Sequence, residues 1–269
     1  YEAGVLNMNG GETLITRAEP SLTLVSPVGI RKGDYFQIYA PNQNENVYTN
    51  LWTGPFYGYE RAIETFELTE EPYRLKPIDI YYHVYSASKR ASLNALDRVY
   101  QWALKQNVMN VYASEYAQKV LDFNRMVVAR GADGWIVRGG GALRELRIPN
   151  ALGVPDVASS RAVAGYQPRG DQVYVHLTDG DALLQTAPQV PTQPYLVEAN
   201  GRITNWSQER SNMQFSLQAY VPLRFALANV SGCRVEGDGR PLTGVVQGGI
   251  TRYELKQNGI ERISISCAS

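Results

Sequence analysis

One stretch of alternating residues limits the architecture of this chain more than any other feature of its sequence. Between positions 213 and 227 every second residue is apolar, and the residues between them are mostly polar. A period of two places the apolar side chains on one face of a β-strand and the polar ones on the other. The alternating residues are Met213, Phe215, Leu217, Ala219, Val221, Leu223, Phe225 and Leu227. The pattern predicts sheets with one buried and one solvated face.

β-like sequence patterns extend over the whole C-terminal part of the chain. From residue 125 onward, short β-like segments are separated by turn sequences such as GADG, GGG and PRGD, without a convincing helical period. Gly139-Gly140-Gly141 lies between two such segments and is predicted to form a hairpin rather than a phosphate-binding loop. We therefore predict an all-β domain over residues 125–269, with the architecture of a β-sandwich or jelly roll.

Residues 1–124 have a mixed pattern. Helical spacing of apolar residues predicts helices over about 89–106 and 115–124. The order strand, helix, strand, helix in residues 78–124 is typical of the end of an α/β barrel. The fold class is therefore α/β plus all-β, with a partial (β/α) barrel over residues 1–124 in front of the β domain. Short β-like runs are predicted at 4–9, 22–27, 36–41, 62–68 and 78–85.

The composition argues against several classes of protein. Lys and Arg together number 26, as do Asp and Glu, so no overall field favours nucleic acid or anionic lipid. No apolar window approaches the ~20 residues of a membrane span, and no signal-peptide pattern follows Tyr1. Because the chain begins inside a predicted strand, we expect it to be part of a longer protein.

Cys233 and Cys267 are the two cysteines of the chain, and both lie in its β-rich tail. Their clustering predicts a single disulfide, which would indicate an oxidising compartment. Two buried free thiols are the alternative. A metal pair is disfavoured because no CxxC spacing is present.

The two histidines of the chain belong to no metal-binding motif of the HxxxH or HExxH type, so no metal site is predicted within the chain. His83 follows the apolar run 78–82 and precedes a helix. At a strand end its imidazole would face a cleft, where its ordinary pKa suits proton transfer. A structural histidine among the neighbouring tyrosines is the alternative. His176 alternates with apolar residues and is predicted to be a hydrogen-bonded sheet residue.

A polar loop with aromatic residues is the second candidate site. Amides and one acid occupy residues 42–46, and an aromatic residue follows at 52. Aromatic rings stack on pyranose faces and amides bind hydroxyls, although a solvated loop would have the same composition. Two asparagines at the end of a predicted strand share a face and could reach one cleft, with a turn at Gly10-Gly11 as the alternative. The candidate sugar-binding residues are Asn7, Asn9, Asn44, Glu45 and Trp52.

Long motifs of the chain resemble the PelA family of polysaccharide deacetylases, which belongs to the Pel exopolysaccharide system of biofilm-forming bacteria. The N-terminal motifs resemble the second half of the family's deacetylase domain, and the later ones resemble its closing β domain. The motifs are LNMNGGET at 6–13, APNQNENVYTNLWTGPFYGY at 40–59, PIDIYYHVYSASKRASLNAL at 77–96, ASEY at 113–116, LRELRIPNALGVPD at 143–156 and SSRAVAGY at 159–166.

The resemblance implies a metal-dependent hydrolase that removes N-acetyl groups from N-acetylgalactosamine units of the Pel polysaccharide. An Asp-His-His triad and a catalytic Asp of the wider class would precede Tyr1, so the divalent metal, expected to be zinc, would be bound upstream of this chain. His83 matches the late histidine that acts as general acid. The tryptophan motif is matched loosely by Leu51-Trp52, because its Asp is missing. Glu45 and Asp79 are therefore both candidates for orienting the imidazole.

The resemblance also implies a periplasmic or secreted location and two partners, the Pel polysaccharide and a PelB-like tetratricopeptide protein of the outer membrane. One alternative function is a carbohydrate- or partner-binding assembly module of the same export machinery. The other is an unrelated β-rich glycosidase, whose two carboxylates would be Glu45 with Glu60 or Glu64. Release of acetate rather than of reducing ends would distinguish the deacetylase from the glycosidase.

Overall fold

The computed structural model describes residues 3–9, 15–40, 60–70, 74, 76–82 and 84–267. These residues divide into two compact units. The first spans Tyr1–Asn107 and the second spans Val108–Ser269. The sequence predicts the boundary later, at 124/125. The two boundaries differ because the helix at Ala113–Arg125, which the sequence assigns to the first domain, accepts hydrogen bonds through Asp122 from a loop of the second unit.

The described part of the first unit contains one mixed sheet and two α-helices. Strand β3 lies at the centre of the sheet, parallel to β1 and antiparallel to β2. The partial barrel predicted for this region stays a prediction. The elements are β1 (Met8–Asn9), β2 (Gly29–Lys32), β3 (Tyr35–Tyr39), α1 (Ala62–Leu68) and α2 (Arg90–Leu104).

Helix α2 confirms the prediction of a helix over about 89–106. Its buried residues Ala95, Leu96 and Val99 recur at helical spacing and pack against α1. Trp102 extends this face, and its ring stacks on Phe66 of α1 with 5.7 Å between centroids. A small apolar core therefore joins the two helices.

Three of the runs predicted as strands in the first unit do not form strands in the part of the chain that the structure describes. Residues 62–68 form helix α1, because Ala62, Thr65 and Phe66 lie on one helical face that is buried. Residues Leu22–Leu24 form a short 3-10 turn. Residues 78–82 form no strand, and Val84–Ser88 form a second 3-10 turn. Ile78 makes a single β-bridge, and Ile78 and Ile80 pack on the helices, so the alternation of this run reflects burial without a continuous strand.

The second unit begins with helix α3 (Ala113–Arg125) and continues as β structure, which confirms the predominantly β character predicted for the C-terminal part. Three small sheets, in the orders β10-β5-β4, β11-β7 and β6-β9-β8, come first. Their strands are β4 (Val127–Arg130), β5 (Trp135–Arg138), β6 (Glu145–Pro149), β7 (Val154–Pro155), β8 (Val163–Arg169), β9 (Gln172–Leu177), β10 (Ala182–Leu184) and β11 (Thr186–Ala187).

Two larger antiparallel sheets follow, in the orders β12-β15-β19-β18 and β13-β14-β20-β16-β17. Their strands are β12 (Tyr195–Ala199), β13 (Arg202–Glu209), β14 (Asn212–Ala219), β15 (Arg224–Ala228), β16 (Cys233–Gly237), β17 (Arg240–Pro241), β18 (Val245–Gln247), β19 (Ile250–Glu254) and β20 (Gly259–Cys267).

The apolar faces of these two sheets share one core. Phe225 and Tyr253 of the four-stranded sheet belong to the same buried cluster as Phe215, Leu217 and Ile263 of the five-stranded sheet. The alternation between 213 and 227 thus places its apolar residues between two layers. A jelly-roll connection of the strands stays a prediction.

The two cysteines form the disulfide that the sequence predicts. Cys233 on β16 and Cys267 on β20 are directly paired across the ladder, and their bond closes a sequence separation of 34. The link secures the end of β20, the last strand of the chain, to its neighbour. Among the described residues, no helix has the length and hydropathy needed to cross a membrane.

Candidate functional site

Most of the predicted site residues lie outside the described residues. They are His83, Trp52, Asn44 and Glu45. Their proposed roles in proton donation and sugar binding therefore stay predictions. The glycosidase candidates Glu60 and Glu64 are described, and both are held within the first unit. Glu60 lies 2.5 Å from an Arg98 nitrogen, and Glu64 accepts a hydrogen bond from the Arg17 amide.

Asn7 and Asn9 lie at the surface of the mixed sheet. Asn9 belongs to β1, and its carbonyl accepts a 2.8 Å hydrogen bond from the Ala40 amide. The Asn7 side chain accepts from the Gln37 amide nitrogen at 3.3 Å. Both asparagines are exposed, so the structure leaves their side chains accessible to a ligand.

A buried lysine lies close to His83 in sequence. Lys76 has 1 % of its surface exposed. Its Nζ donates to the carbonyl oxygens of Ala40 at 3.0 Å and Pro27 at 3.3 Å, and lies 3.5 Å from the Ser26 hydroxyl. Burial lowers the pKa of Lys76 to about 8, although the charge of Asp79 acts in the opposite direction. The ammonium is thus anchored by backbone oxygens in a poorly solvated position.

Asp79 is the acidic counterpart of this lysine. Burial raises its pKa to about 6, against the opposing effect of the Lys76 charge. Burial and a hydrogen bond with Tyr82 raise the pKa of Tyr100 to about 12, and the two rings meet edge to face at 6.2 Å. The segment before His83 therefore contains an acid and a base that titrate much closer to neutrality than usual, which suits proton transfer.

His176 occupies the structural role that the sequence predicts. It lies on β9 opposite Glu145 of β6, and its Nδ1 is 3.3 Å from the Glu145 carboxylate. Its Nε2 is 2.6 Å from the Val197 carbonyl oxygen. Both ring nitrogens are engaged by groups of the second unit, so this imidazole joins neighbouring strands.

The loop at Gly139-Gly140-Gly141 is not a hairpin. It connects β5, which pairs with β4 and β10, to β6, which pairs with β9. The loop instead surrounds the Asp122 carboxylate of α3, which accepts hydrogen bonds from the amides of Gly140, Ala142 and Leu143. Burial opposes ionisation, but these amides outweigh it and lower the pKa of Asp122. This carboxylate holds α3 to the β structure and explains the early unit boundary.

A groove lies between the start of α3 and the outer face of the β13–β14 hairpin. Arg202 and Gln218 are paired residues of the two strands, and Gln118 and Lys119 come from the helix. Sequence reasoning missed this site, although the polar residues 115, 119 and 122 recur at the spacing of one helix face. The groove is lined by Met109, Asn110, Val111, Glu115, Gln118, Lys119, Ala142, Arg202, Gln218 and Tyr220.

Within the described part of the chain, no three His, Cys, Asp or Glu side chains converge as a metal-binding group. These residues therefore offer no ligand set for the zinc ion that the resemblance implies. Comparison with known proteins adds no assignment: no protein-family model, curated protein or solved structure matches the chain.

Proposed function

We propose that this chain contributes to a metal-dependent polysaccharide N-deacetylase that acts on N-acetylgalactosamine units of the Pel exopolysaccharide in the periplasm. The resemblance of its motifs motivates the proposal. One structural observation supports it. Immediately before the candidate general acid His83, Lys76 and Asp79 are largely buried, and their pKa values move toward neutrality. Displaced pKa values of this kind are typical of sites that transfer protons.

The proposed reaction is hydrolysis of an amide. The catalytic Asp that the resemblance implies takes a proton from water as the water oxygen adds to the acetyl carbonyl carbon. The C–N bond then breaks, and the departing nitrogen takes a proton from the His83 imidazolium. Acetate and a free amine are the products. Asp79 is the candidate among the described residues for positioning the imidazole. Because the described residues hold no metal-ligand set, we assign no step to the metal.

The test is acetate release from N-acetylgalactosamine oligosaccharides by the full natural protein that contains this chain. His83→Ala is expected to reduce kcat by about 10²–10⁴-fold, the usual size of a general-acid contribution, with zinc content unchanged. Asp79→Asn is expected to shift the pH profile of kcat while the protein remains folded. Unchanged turnover in His83→Ala would contradict the proposed role.

A binding module of the same export machinery is the second candidate function. It is favoured by the groove of the second unit, which is lined within that unit alone. A PelB-like tetratricopeptide protein or the Pel polysaccharide would be the partner. Stable capture of either partner by a protein that releases no acetate would favour this function over the deacetylase.

A further inference from the structure

We infer that the groove between α3 and the β13–β14 hairpin binds an acidic saccharide, with the sugar carboxylate held by Arg202 and Lys119. The inference does not depend on the proposed deacetylase. It concerns the second unit of the chain and a ligand whose charge is opposite to that of a deacetylated amino sugar, so for this groove it is an alternative to the Pel polysaccharide named above.

Positive charge is concentrated around this groove. Lys119 is partly buried, and burial together with the nearby positive charges of Arg202 and Arg144 lowers its pKa, although the charges of Glu115 and Glu145 act in the opposite direction. Its Nζ donates a 2.9 Å hydrogen bond to the Ala142 carbonyl oxygen, which keeps the ammonium beside the groove. Cations that repel one another in a poorly solvated place are stabilised when an anion binds between them.

Arg202 has unused hydrogen-bonding capacity. Its Nε is buried and lacks a hydrogen-bond partner among the described residues. Buried donors nearly always have partners, so an orphan donor beside a groove points to an absent acceptor. A guanidinium presents parallel N–H groups whose spacing matches the two oxygens of a carboxylate. Arg202 is therefore suited to bind a carboxylate of the ligand.

The acid of the groove is already engaged. Glu115 accepts a 2.9 Å hydrogen bond from the Tyr112 amide with one carboxylate oxygen. Its other oxygen accepts a 3.1 Å hydrogen bond from the Tyr220 hydroxyl. Glu115 thus begins the helix and positions a tyrosine, rather than pairing with Arg202. Among the described residues the Arg202 Nε has no acceptor, which leaves this donor for a ligand.

The remaining lining suits a sugar ring better than a simple anion. Tyr220 lines the groove and forms a tilted aromatic pair with Tyr112 beside it, with 4.5 Å between the ring centroids, and Tyr112 is 62 % exposed. Aromatic rings next to polar groups bind the C–H faces of pyranoses. Gln118 and Gln218 add amide donors and acceptors that complement sugar hydroxyls. Carboxylate, ring and hydroxyl recognition together define a uronic acid sugar.

The experiment is calorimetric titration of the full chain with trigalacturonate. The neutral galactose trimer, the galactosamine trimer and acetate serve as comparison ligands. We expect trigalacturonate to bind at least about tenfold more tightly than each of them, and its affinity to fall with added salt. Absence of trigalacturonate binding would overturn the inference. Acetate of equal affinity would overturn the saccharide assignment, as would equal binding of the neutral trimer.

Variants localise the site. Arg202→Gln is expected to weaken trigalacturonate binding at least about tenfold, because it removes a charge-assisted hydrogen bond. Arg234→Gln is the matched control, since Arg234 lies on β16 outside the groove and pairs with Glu236 at 2.5 Å. Tyr112→Ala, a change at an exposed ring, gives a second test if Arg202→Gln folds poorly. Unchanged affinity in a folded Arg202→Gln or Tyr112→Ala protein would overturn the inference.

The result is separable from that for the deacetylase. Acetate release from N-acetylgalactosamine oligosaccharides and trigalacturonate affinity are measured on the same full natural protein, and His83→Ala is expected to lower the first and leave the second unchanged. Loss of one property without the other therefore identifies which of the two proposals has failed.

Discussion

Asp79 in the first unit and Asp122 in the second are largely buried carboxylates whose pKa values move in opposite directions. In the first unit, Lys76 and Asp79 are largely buried, and their pKa values move toward neutrality. In the second unit, the buried Asp122 is surrounded by backbone amides that keep it ionised, and most of the interior is apolar. Burial that destabilises the charged form favours proton transfer, whereas burial with full hydrogen bonding favours stability. The comparison shows that the hydrogen-bond partners of a carboxylate decide whether burial raises or lowers its pKa.

The largest expected effect tests whether the apolar interior stabilises the second unit. Phe215 is 1 % exposed and stacks on Trp206 with 5.2 Å between centroids. Phe215→Ala is expected to lower the free energy of unfolding of this unit by about 3–5 kcal/mol, because it leaves a cavity. Hydrogen exchange should accelerate in β13–β20 and remain unchanged in α2.

Val246→Ala is the matched control for that substitution, because Val246 is 70 % exposed on β18. Its effect on the free energy of unfolding should stay within about 0.5 kcal/mol. If Phe215→Ala lowers the free energy of unfolding as little as the control does, the apolar interior does not stabilise the second unit as proposed.

Removal of the disulfide is expected to have the next largest effect. The bond between Cys233 and Cys267 closes a sequence separation of 34. In the chain-entropy model a loop of this length contributes about 3–4 kcal/mol to stability. The double change Cys233→Ser and Cys267→Ser should lower the midpoint of urea unfolding of the second unit. Reductant should have the same effect on the natural protein and none on the double variant.

Asp122→Asn tests whether the backbone amides around this carboxylate stabilise the second unit, because it should change how the free energy of unfolding depends on pH. The folded state lowers the pKa of Asp122, so the unfolded state binds more protons and stability rises with pH in that range. The contribution is complete above the unfolded pKa of about 3.9 and is lost as pH falls through the folded value. The substitution should cost about 2–3 kcal/mol at pH 7.

Urea unfolding between pH 2 and 7 measures this contribution. Asp133→Asn, a change at an exposed position in the same unit, should cost less than about 0.5 kcal/mol. Equal effects of the two changes would show that the backbone amides do not stabilise the Asp122 carboxylate.

Asp79→Asn is expected to have the smallest effect on the free energy of unfolding. The pH dependence that Asp79 causes has the opposite sign to that of Asp122. The pKa of Asp79 is raised to about 6, so between about pH 4 and pH 6 the folded state holds a proton that the unfolded state has lost. Stability of the first unit should therefore fall by about 1–2 kcal/mol across this window as pH rises. The substitution should remove the decrease. A decrease that persists in Asp79→Asn would assign it to another group.

Local pattern was sufficient for some elements and insufficient for others. Helix α2 could be predicted because its apolar residues keep one helical face over four turns. Residues 62–68 could not, because an apolar pattern seven residues long fits a strand as well as a helix. The run 78–82 alternates like a strand but has no strand assignment in the structure. Strand formation depends on a neighbouring strand, which local sequence does not specify.

The sequence by itself determined the β character of the second unit, helix α2, the cysteines available for the disulfide, and the two histidines. These features follow from side-chain periodicity and residue type, which act over a few neighbouring positions. Only the tertiary structure decided that Asp122 is surrounded by the loop at 139–143 and that Lys119 and Arg202 line one groove. These groups are distant in sequence, and their meeting depends on how α3 packs against the sheets. Desolvation and hydrogen bonding then set the behaviour of each charge, because both depend on its surroundings in space.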